Sequence, residues 1–232
     1  MLDRSVLRWG GMAAMVGAVL SLVFNLLHPR SSSTGLEAHI ELVAESGIWI
    51  FDHYMLAWAL AFSTVGLVAI GWSAPDGAGA TWGRFAVASL IAGAAIGFAG
   101  IVVDGWAFKQ AADAAAGGDG AALAVADAVE TVSGALLIAL AGSLFGLTPI
   151  LFGEMTLAGR EHPQWLGYLA ILAGVVGIVS SSVMFFDEVT AFALNVLFTI
   201  AALLFTVWAF MMGWYLWRRE VVPESRPAVS TT

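Results

Sequence analysis

Cysteine is absent from this chain of 232 residues. Its absence excludes disulfides, thiolate nucleophiles, iron–sulfur ligation and cysteine-type zinc sites. Charge is scarce too, because 11% of the residues are charged, against about 25% in a typical soluble domain. So few charges cannot cover a surface that faces water. With 60% hydrophobic residues, the composition indicates that lipid is the main solvent of the chain.

Other absences narrow the chemistry. The sequence has no phosphate-binding glycine loop, no Gly-x-Ser-x-Gly turn and no lysine in a long apolar run to carry a retinal. The apolar runs also hold no histidine that would ligate a haem between helices, and no cofactor is predicted. The net charge of −8 argues against a nucleic-acid partner, since phosphate binding needs clustered basic residues.

Six stretches are long and apolar enough to cross a bilayer, which takes about 20 residues of helix. With their interfacial ends, the predicted spans are 9–27, 50–75, 83–106, 130–153, 164–186 and 189–217. These runs lack the alternation of barrel strands, so helices are expected. The sequence therefore predicts an all-α, polytopic membrane bundle of six transmembrane helices. It forms a single domain over residues 1–220, and a disordered cytoplasmic tail follows at 221–232.

The basic residues predict the orientation of this bundle. If the N-terminus is inside, seven of the nine lysines and arginines are cytoplasmic, and only Arg30 and Lys109 are outside. This bias follows the positive-inside rule, and the opposite orientation would invert it. The prediction is a multi-pass protein of the cell membrane, with the lipid bilayer as its partner and both termini in the cytoplasm.

Two stretches between spans carry helical patterns of their own. In the stretch 31–46, glutamates recur every four residues opposite an apolar side, which predicts a short amphipathic helix. The stretch 110–128 is rich in alanine on both sides of a Gly-Gly-Asp-Gly turn. We therefore expect the third and fourth helices to project beyond the lipid.

Two pairs of small residues predict close helix packing. Gly93 and Gly97 lie four residues apart in the third span, as Gly142 and Gly146 do in the fourth. Such pairs let two backbones approach each other. Packing within the bundle is the favoured interpretation, and a dimerisation face that would make an oligomer is the alternative.

Acidic residues gather on the predicted outer side, which holds eleven of the seventeen carboxylates. Four of them, at the ends of four spans, are the catalytic candidates: Asp104, Asp52, Glu130 and Asp187. Polar bundle residues tend to face the interior or a wet cavity. The sequence therefore predicts an acidic, polar vestibule that opens outward. The predicted ligand-binding residues are Asp52, His53, Asp104, Trp106, Glu130 and Asn195.

Asp104 is predicted to matter most, because its span carries three glycines and should pack centrally. The alternative is that it merely pairs with Lys109 or caps a neighbouring helix. Metal binding is not predicted, since the histidine spacing matches no metal signature. A histidine–carboxylate metal site stays the alternative, with His39 and His53 as its candidates and His28 on the same side. Hydrogen-bonded interfacial histidines are the favoured interpretation.

One segment carries a family resemblance. In it a span ends in glycine, a short loop holds a basic residue and a proline, and Trp-Leu-Gly opens the next span. In this chain these positions are Gly153, Arg160, Pro163, Trp165, Leu166 and Gly167, in a segment that continues to Gly174. The segment resembles a large group of small bacterial polytopic membrane proteins that are known only as a domain of unknown function. The resemblance implies a membrane fold in a bacterial inner membrane and no activity.

Three classes of function stay open from the sequence. The first is a protein that binds or moves a small or lipophilic ligand at the outer vestibule. The second is a membrane-embedded enzyme that acts on a lipid or isoprenoid, for example by cyclisation, through carboxylate acid–base chemistry. The third is a regulatory or assembly subunit without a site.

Overall fold

The computed structural model describes residues 3–30, 35–74, 76–186 and 193–218, with no side chains at 193–195. The helices are α1 (Arg4–Leu27), α2 (Leu36–Glu45), α3 (Trp49–Gly71), α4 (Gly77–Val102), α5 (Lys109–Ala116), α6 (Gly120–Gly142), α7 (Thr148–Gly159), α8 (Gln164–Phe186) and α9 (Thr199–Arg218). Three π-helical turns continue or join them: π1 (Val103–Phe108), π2 (Ser143–Leu147) and π3 (Ala193–Phe198).

Six helices are long and apolar enough to span a membrane, and four of them run for 23 or 24 residues. These four are Arg4–Leu27, Trp49–Gly71, Gln164–Phe186 and Val196–Arg218. The predicted all-α membrane bundle is therefore confirmed. The other two helices differ from their predicted bounds, because each is continuous over 40 residues, at Gly77–Ala116 and Gly120–Gly159.

These two long helices extend beyond any bilayer. At about 1.5 Å per residue a helix of 40 residues is about 60 Å long, twice the hydrocarbon thickness of about 30 Å. Their far ends, α5 and the start of α6, pack with α2 around the buried side chains of Val43, Phe108 and Ala112. We call α2, α5 and the first turns of α6 the cap. The expected amphipathic helix and the expected projection of both spans are thus present.

The membrane part is a closed bundle with an apolar core. α1 packs against α3 and α9, α4 against α3 and α7, and α8 against α7 and α9. Leu90, Phe152 and Trp208 are fully buried at its centre. Among the polar contacts within this bundle is a hydrogen bond of 2.8 Å between the hydroxyls of Ser89 and Thr148.

The predicted glycine pairs pack inside this bundle. A Cβ on Gly93 would lie 3.0 Å from the Leu144 backbone, and one on Gly146 would lie 2.9 Å from the Ile178 side chain. The small residues therefore let α4 approach π2 and let π2 approach α8. This is packing within the bundle, the favoured interpretation of the sequence. This arrangement also makes α4 central, because it contacts α3, α6 and α7.

Candidate functional site

Two histidine–carboxylate pairs connect helices at the end of the bundle that carries the cap. We call this the histidine end. The Nδ1 atom of His28, just after α1, lies 2.7 Å from Oδ2 of Asp52 on α3. The Nε2 atom of His53 on α3 lies 2.9 Å from Oδ2 of Asp104 in π1. These contacts tie the ends of three helices together.

A third pair fastens the cap to the bundle. The Nδ1 atom of His39 on α2 lies 2.9 Å from Oε1 of Glu130 on α6. Both side chains are about one-third exposed, at 29% and 35%. Each of the other two pairs has one buried partner, Asp52 at 1% and His53 at 6%, and this pair has none.

Trp49, at the start of α3, lies between all three histidines. Its ring centroid is 4.7 Å from that of His53, 5.0 Å from that of His28 and 5.9 Å from that of His39. Its indole N–H donates a hydrogen bond of 3.1 Å to the backbone carbonyl of Asp104. Since Trp49 is fully buried, it fixes the spacing between the pairs.

The π-helical turn π1 positions Asp104. A π turn adds a residue to a helix, and such turns recur at functional sites. Here the turn places the Asp104 carbonyl at Trp49 and its carboxylate at His53. The next residue is Gly105, where a Cβ would lie 2.6 Å from Cγ of His53. Only glycine therefore lets the His53 ring lie against this backbone.

The hydrogen bonds of His53 imply a shared proton. Its Nδ1 lies 2.8 Å from the carbonyl oxygen of Trp49, and because a carbonyl only accepts, Nδ1 carries a hydrogen and donates it. The contact between Nε2 and Asp104 then needs a second proton, which resides on either the ring or the carboxyl group. Ser133 donates a hydrogen bond of 3.3 Å to the other oxygen, Oδ1. The His53–Asp104 pair therefore holds one proton in a buried place.

Asp52 is the least satisfied residue of the site. It is 1% exposed, and its Oδ1 has no hydrogen-bond partner among the residues that the structure describes. One ligand atom each of His28, Asp52 and His53 lies within 4.8 Å of the others. We call these three residues the His–Asp–His cluster. Two imidazoles and a carboxylate are a donor set that can hold a metal ion.

The predicted site residues are only partly brought together. Asp52, His53 and Asp104 lie in one buried network, and Glu130 lies beside it through His39. The other predicted residues are placed as follows: Trp106 is 57% exposed on the surface of π1, while Asp187 and the side chain of Asn195 lie outside the described residues. Lys109 pairs with Asp113 at 2.5 Å, so the alternative of an Asp104–Lys109 pair does not occur.

Sequence reasoning missed His28 and Trp49 as site residues. His28 follows α1 and shares no helical spacing with His53, so the sequence does not pair the two. Trp49 resembles any interfacial tryptophan of an aromatic belt. A signal did exist, since Asp52-His53 follows Trp49 within one turn and polar residues at a span end tend to turn inward.

Two cavities in the described part of the chain lie away from this cluster. The larger, of about 420 Å³, is a groove on the cap lined by acidic and apolar side chains, among them Glu37, Glu45 and Leu123. The smaller, of about 10 Å³, lies at the opposite end of the bundle beside Ser73 and Thr156. The cluster itself is packed, so without rearrangement it accepts only a ligand of ionic size.

These observations define a multi-pass α-helical membrane protein with a buried histidine–carboxylate network at one end. The comparisons with known proteins add no identity, because no family model, no curated protein and no solved structure matches the chain. The resemblance of the segment around Pro163 and Trp165 therefore stays a prediction. The function has to be argued from the site.

Proposed function

We propose that this membrane protein binds a small cation at its histidine end, and that this binding is its function. The observation that carries the proposal is Asp52, a carboxylate that is 1% exposed and keeps one oxygen without a partner in the described part of the chain. An unpaired buried acceptor costs about 1–3 kcal/mol, and more when it is charged. A bound cation would remove that cost.

Two further observations support a small ligand of positive charge. The neighbours of Asp52 are His28 and His53, which are neutral donors of lone pairs when they are not protonated. Asp52 and His53 are both buried, and so is Trp49 between the rings. A lipophilic molecule would have to displace these side chains, whereas an ion would only draw them together.

Binding is favoured over transport through the bundle. Below the cluster, α4 packs against its neighbours through Leu90, and the centre is filled by Phe152 and Trp208, all fully buried. An ion on its way through would need polar partners at this depth. The alternative of a lipid-modifying enzyme gains less support, because neither of these two cavities borders Asp52 or Asp104.

We further propose that the histidine end faces the outside and that both termini are cytoplasmic, on the strength of the positive-inside bias. Single cysteines at Gly118, in the cap turn, and at Ala158, near the end of α7, test this orientation. An impermeant thiol reagent added to whole cells should label the first and spare the second. Labelling of Ala158→Cys alone would reverse the orientation.

Thermal unfolding of the purified protein in detergent tests cation binding. Wild type is heated with a panel of alkali, alkaline-earth and transition-metal cations, and at least one class should raise Tm in a concentration-dependent way. Asp52→Asn keeps the shape of the side chain and should abolish that rise. Glu130→Gln, in the half-exposed pair with His39, is the matched control and should keep it.

Two outcomes would contradict the proposal. If no cation of any class stabilises wild type, the site does not bind ions. If the same rise in Tm persists in Asp52→Asn, the cation binds elsewhere.

A further inference from the structure

We propose that the cation is a transition-metal ion of the Zn²⁺ type, and that the His–Asp–His cluster supplies its protein ligands. This inference rests on the proposed cation binding and deepens it by naming the ligands and the class of ion. It departs from the sequence analysis, where the histidine spacing predicted no metal.

The donor atoms select the class of ion. Mg²⁺ and Ca²⁺ take oxygen ligands almost entirely, whereas imidazole nitrogens suit zinc, copper, iron and nickel. The cluster offers two imidazoles, of His28 and His53, and one carboxylate, of Asp52. Two histidines with one carboxylate leave a coordination position open, as sites with three protein ligands do.

The distances in the cluster are close to those of a bound state. In a tetrahedral zinc site with bonds of about 2.0–2.1 Å, two ligand atoms lie about 3.3 Å apart. The His28–Asp52 hydrogen bond of 2.7 Å would have to open by about 0.6 Å, whereas the widest separation, within 4.8 Å, would close by up to about 1.5 Å. Shifts of this size are within reach of side-chain rotation.

The second contacts of His53 are those of a metal ligand. A ligating histidine almost always donates its other ring N–H to a carbonyl or a carboxylate, which fixes the orientation of the ring. His53 has both kinds of acceptor, the Trp49 carbonyl at Nδ1 and the Asp104 carboxylate at Nε2. Ligation replaces one of these two hydrogen bonds and releases the proton held in it to solvent, and the other nitrogen keeps its orienting partner.

The unpaired oxygen of Asp52 also supports a metal site. The Oδ1 atom of Asp52 is buried and has no partner within the described ranges, while Oδ2 contacts His28. A carboxylate so placed binds an ion without first losing a hydrogen bond at that oxygen. This oxygen is an observation independent of the spacing of the three ligands.

The structure offers a matched control at the same end of the bundle. His39 and Glu130 form a pair of 2.9 Å, close to that of His28 and Asp52, but both are about one-third exposed. Among the described residues, no third histidine or carboxylate joins them in a metal-like group. This pair therefore has a histidine and a carboxylate but lacks the third ligand of the His–Asp–His cluster.

The test uses full-length protein in detergent, freed of metal with a chelator. Co²⁺ is added as a spectroscopic substitute for Zn²⁺, and visible d–d bands report its coordination. Calorimetry with Zn²⁺ gives the stoichiometry and Kd. We expect one ion per chain and low-coordinate nitrogen–oxygen bands, together with at least about tenfold weaker binding in His28→Gln and Asp52→Asn. His39→Gln should bind within about twofold of wild type.

Several results would overturn the inference. One is stabilisation by another class of cation without binding of Zn²⁺ or Co²⁺, in which case the proposed function stands and the metal class is wrong. Another is wild-type affinity in His28→Gln, a residue half-buried at the end of α1 whose loss should leave the bundle folded. A third is equal loss in His39→Gln, which would place the ion at the cap. Binding of no cation at all would remove the proposed function as well.

Discussion

Replacing Gly105 with alanine should open the histidine end. The added Cβ would lie 2.6 Å from Cγ of His53 and would also overlap its Cβ, whereas ordinary contacts begin near 3.4 Å. π1 and α3 must therefore separate by roughly 1 Å, which is a typical consequence of overpacking. The same shift stretches the 2.9 Å contact between His53 and Asp104 beyond hydrogen-bonding distance.

The expected change in the free energy of unfolding combines two losses and one gain. Overpacking costs about 1–3 kcal/mol, and a hydrogen bond to a charged group is worth about 1.5–3 kcal/mol. Alanine in place of a helical glycine returns up to about 1 kcal/mol. The net expectation for Gly105→Ala is a loss of about 1.5–6 kcal/mol, or about 3–24 °C in Tm for a chain of this size.

Gly100→Ala is the matched control on the same helix. Its Cβ would lie 3.7 Å from Cβ of Leu136, an ordinary contact, so this variant should be as stable as wild type or more so. Thermal unfolding of both variants in one detergent, followed by circular dichroism, makes the comparison. If Gly105→Ala is as stable as wild type, or if Gly100→Ala is equally destabilised, the argument from this close contact is wrong.

Three further variants probe other parts of the fold. Arg160→Gly should raise Tm, because Arg160 ends α7 with a left-handed φ of 55°. This conformation costs any residue with a side chain about 1 kcal/mol relative to glycine. A fall in Tm would contradict the prediction. Thr148→Val leaves the Ser89 hydroxyl without its partner and should cost about 0.6–1.7 kcal/mol in chemical unfolding, whereas no loss would mean that this bond adds nothing. Lys109→Met should change stability by less than about 1 kcal/mol, because the Asp113 carboxylate that Lys109 pairs with is nearly half exposed. A larger loss would mean that the hydrogen bond from Lys109 to the Ala44 carbonyl holds the cap in place.

The fold was predictable because it depends on local composition. A span needs about 20 apolar residues, and each of the six runs supplies them in sequence order. The cap helix was predictable for a similar reason, since the glutamates at 37, 41 and 45 share one face of α2. Neither inference required knowledge of which helices touch.

The site was only partly predictable because it depends on those contacts. Asp52 and His53 are adjacent in α3, yet they pair with different helices, one through His28 and the other through Asp104. The π turn at Asp104 has no sequence signature that we used, and it sets the direction of that carboxylate. Sequence alone therefore placed Asp52, His53 and Asp104 at the ends of predicted spans without showing which side chains pair.

The 40-residue helix that carries Asp104 has a mechanical consequence. It acts as a rod that is anchored in lipid and ends in the cap, whereas Asp52 and His53 ride on α3, which ends near the membrane. Helices change their tilt when the bilayer becomes thicker or thinner. A tilt of about 5° moves the tip of a rod about 60 Å long by about 5 Å. A change in bilayer thickness that tilted this rod relative to α3 would therefore pull on the contact between His53 and Asp104.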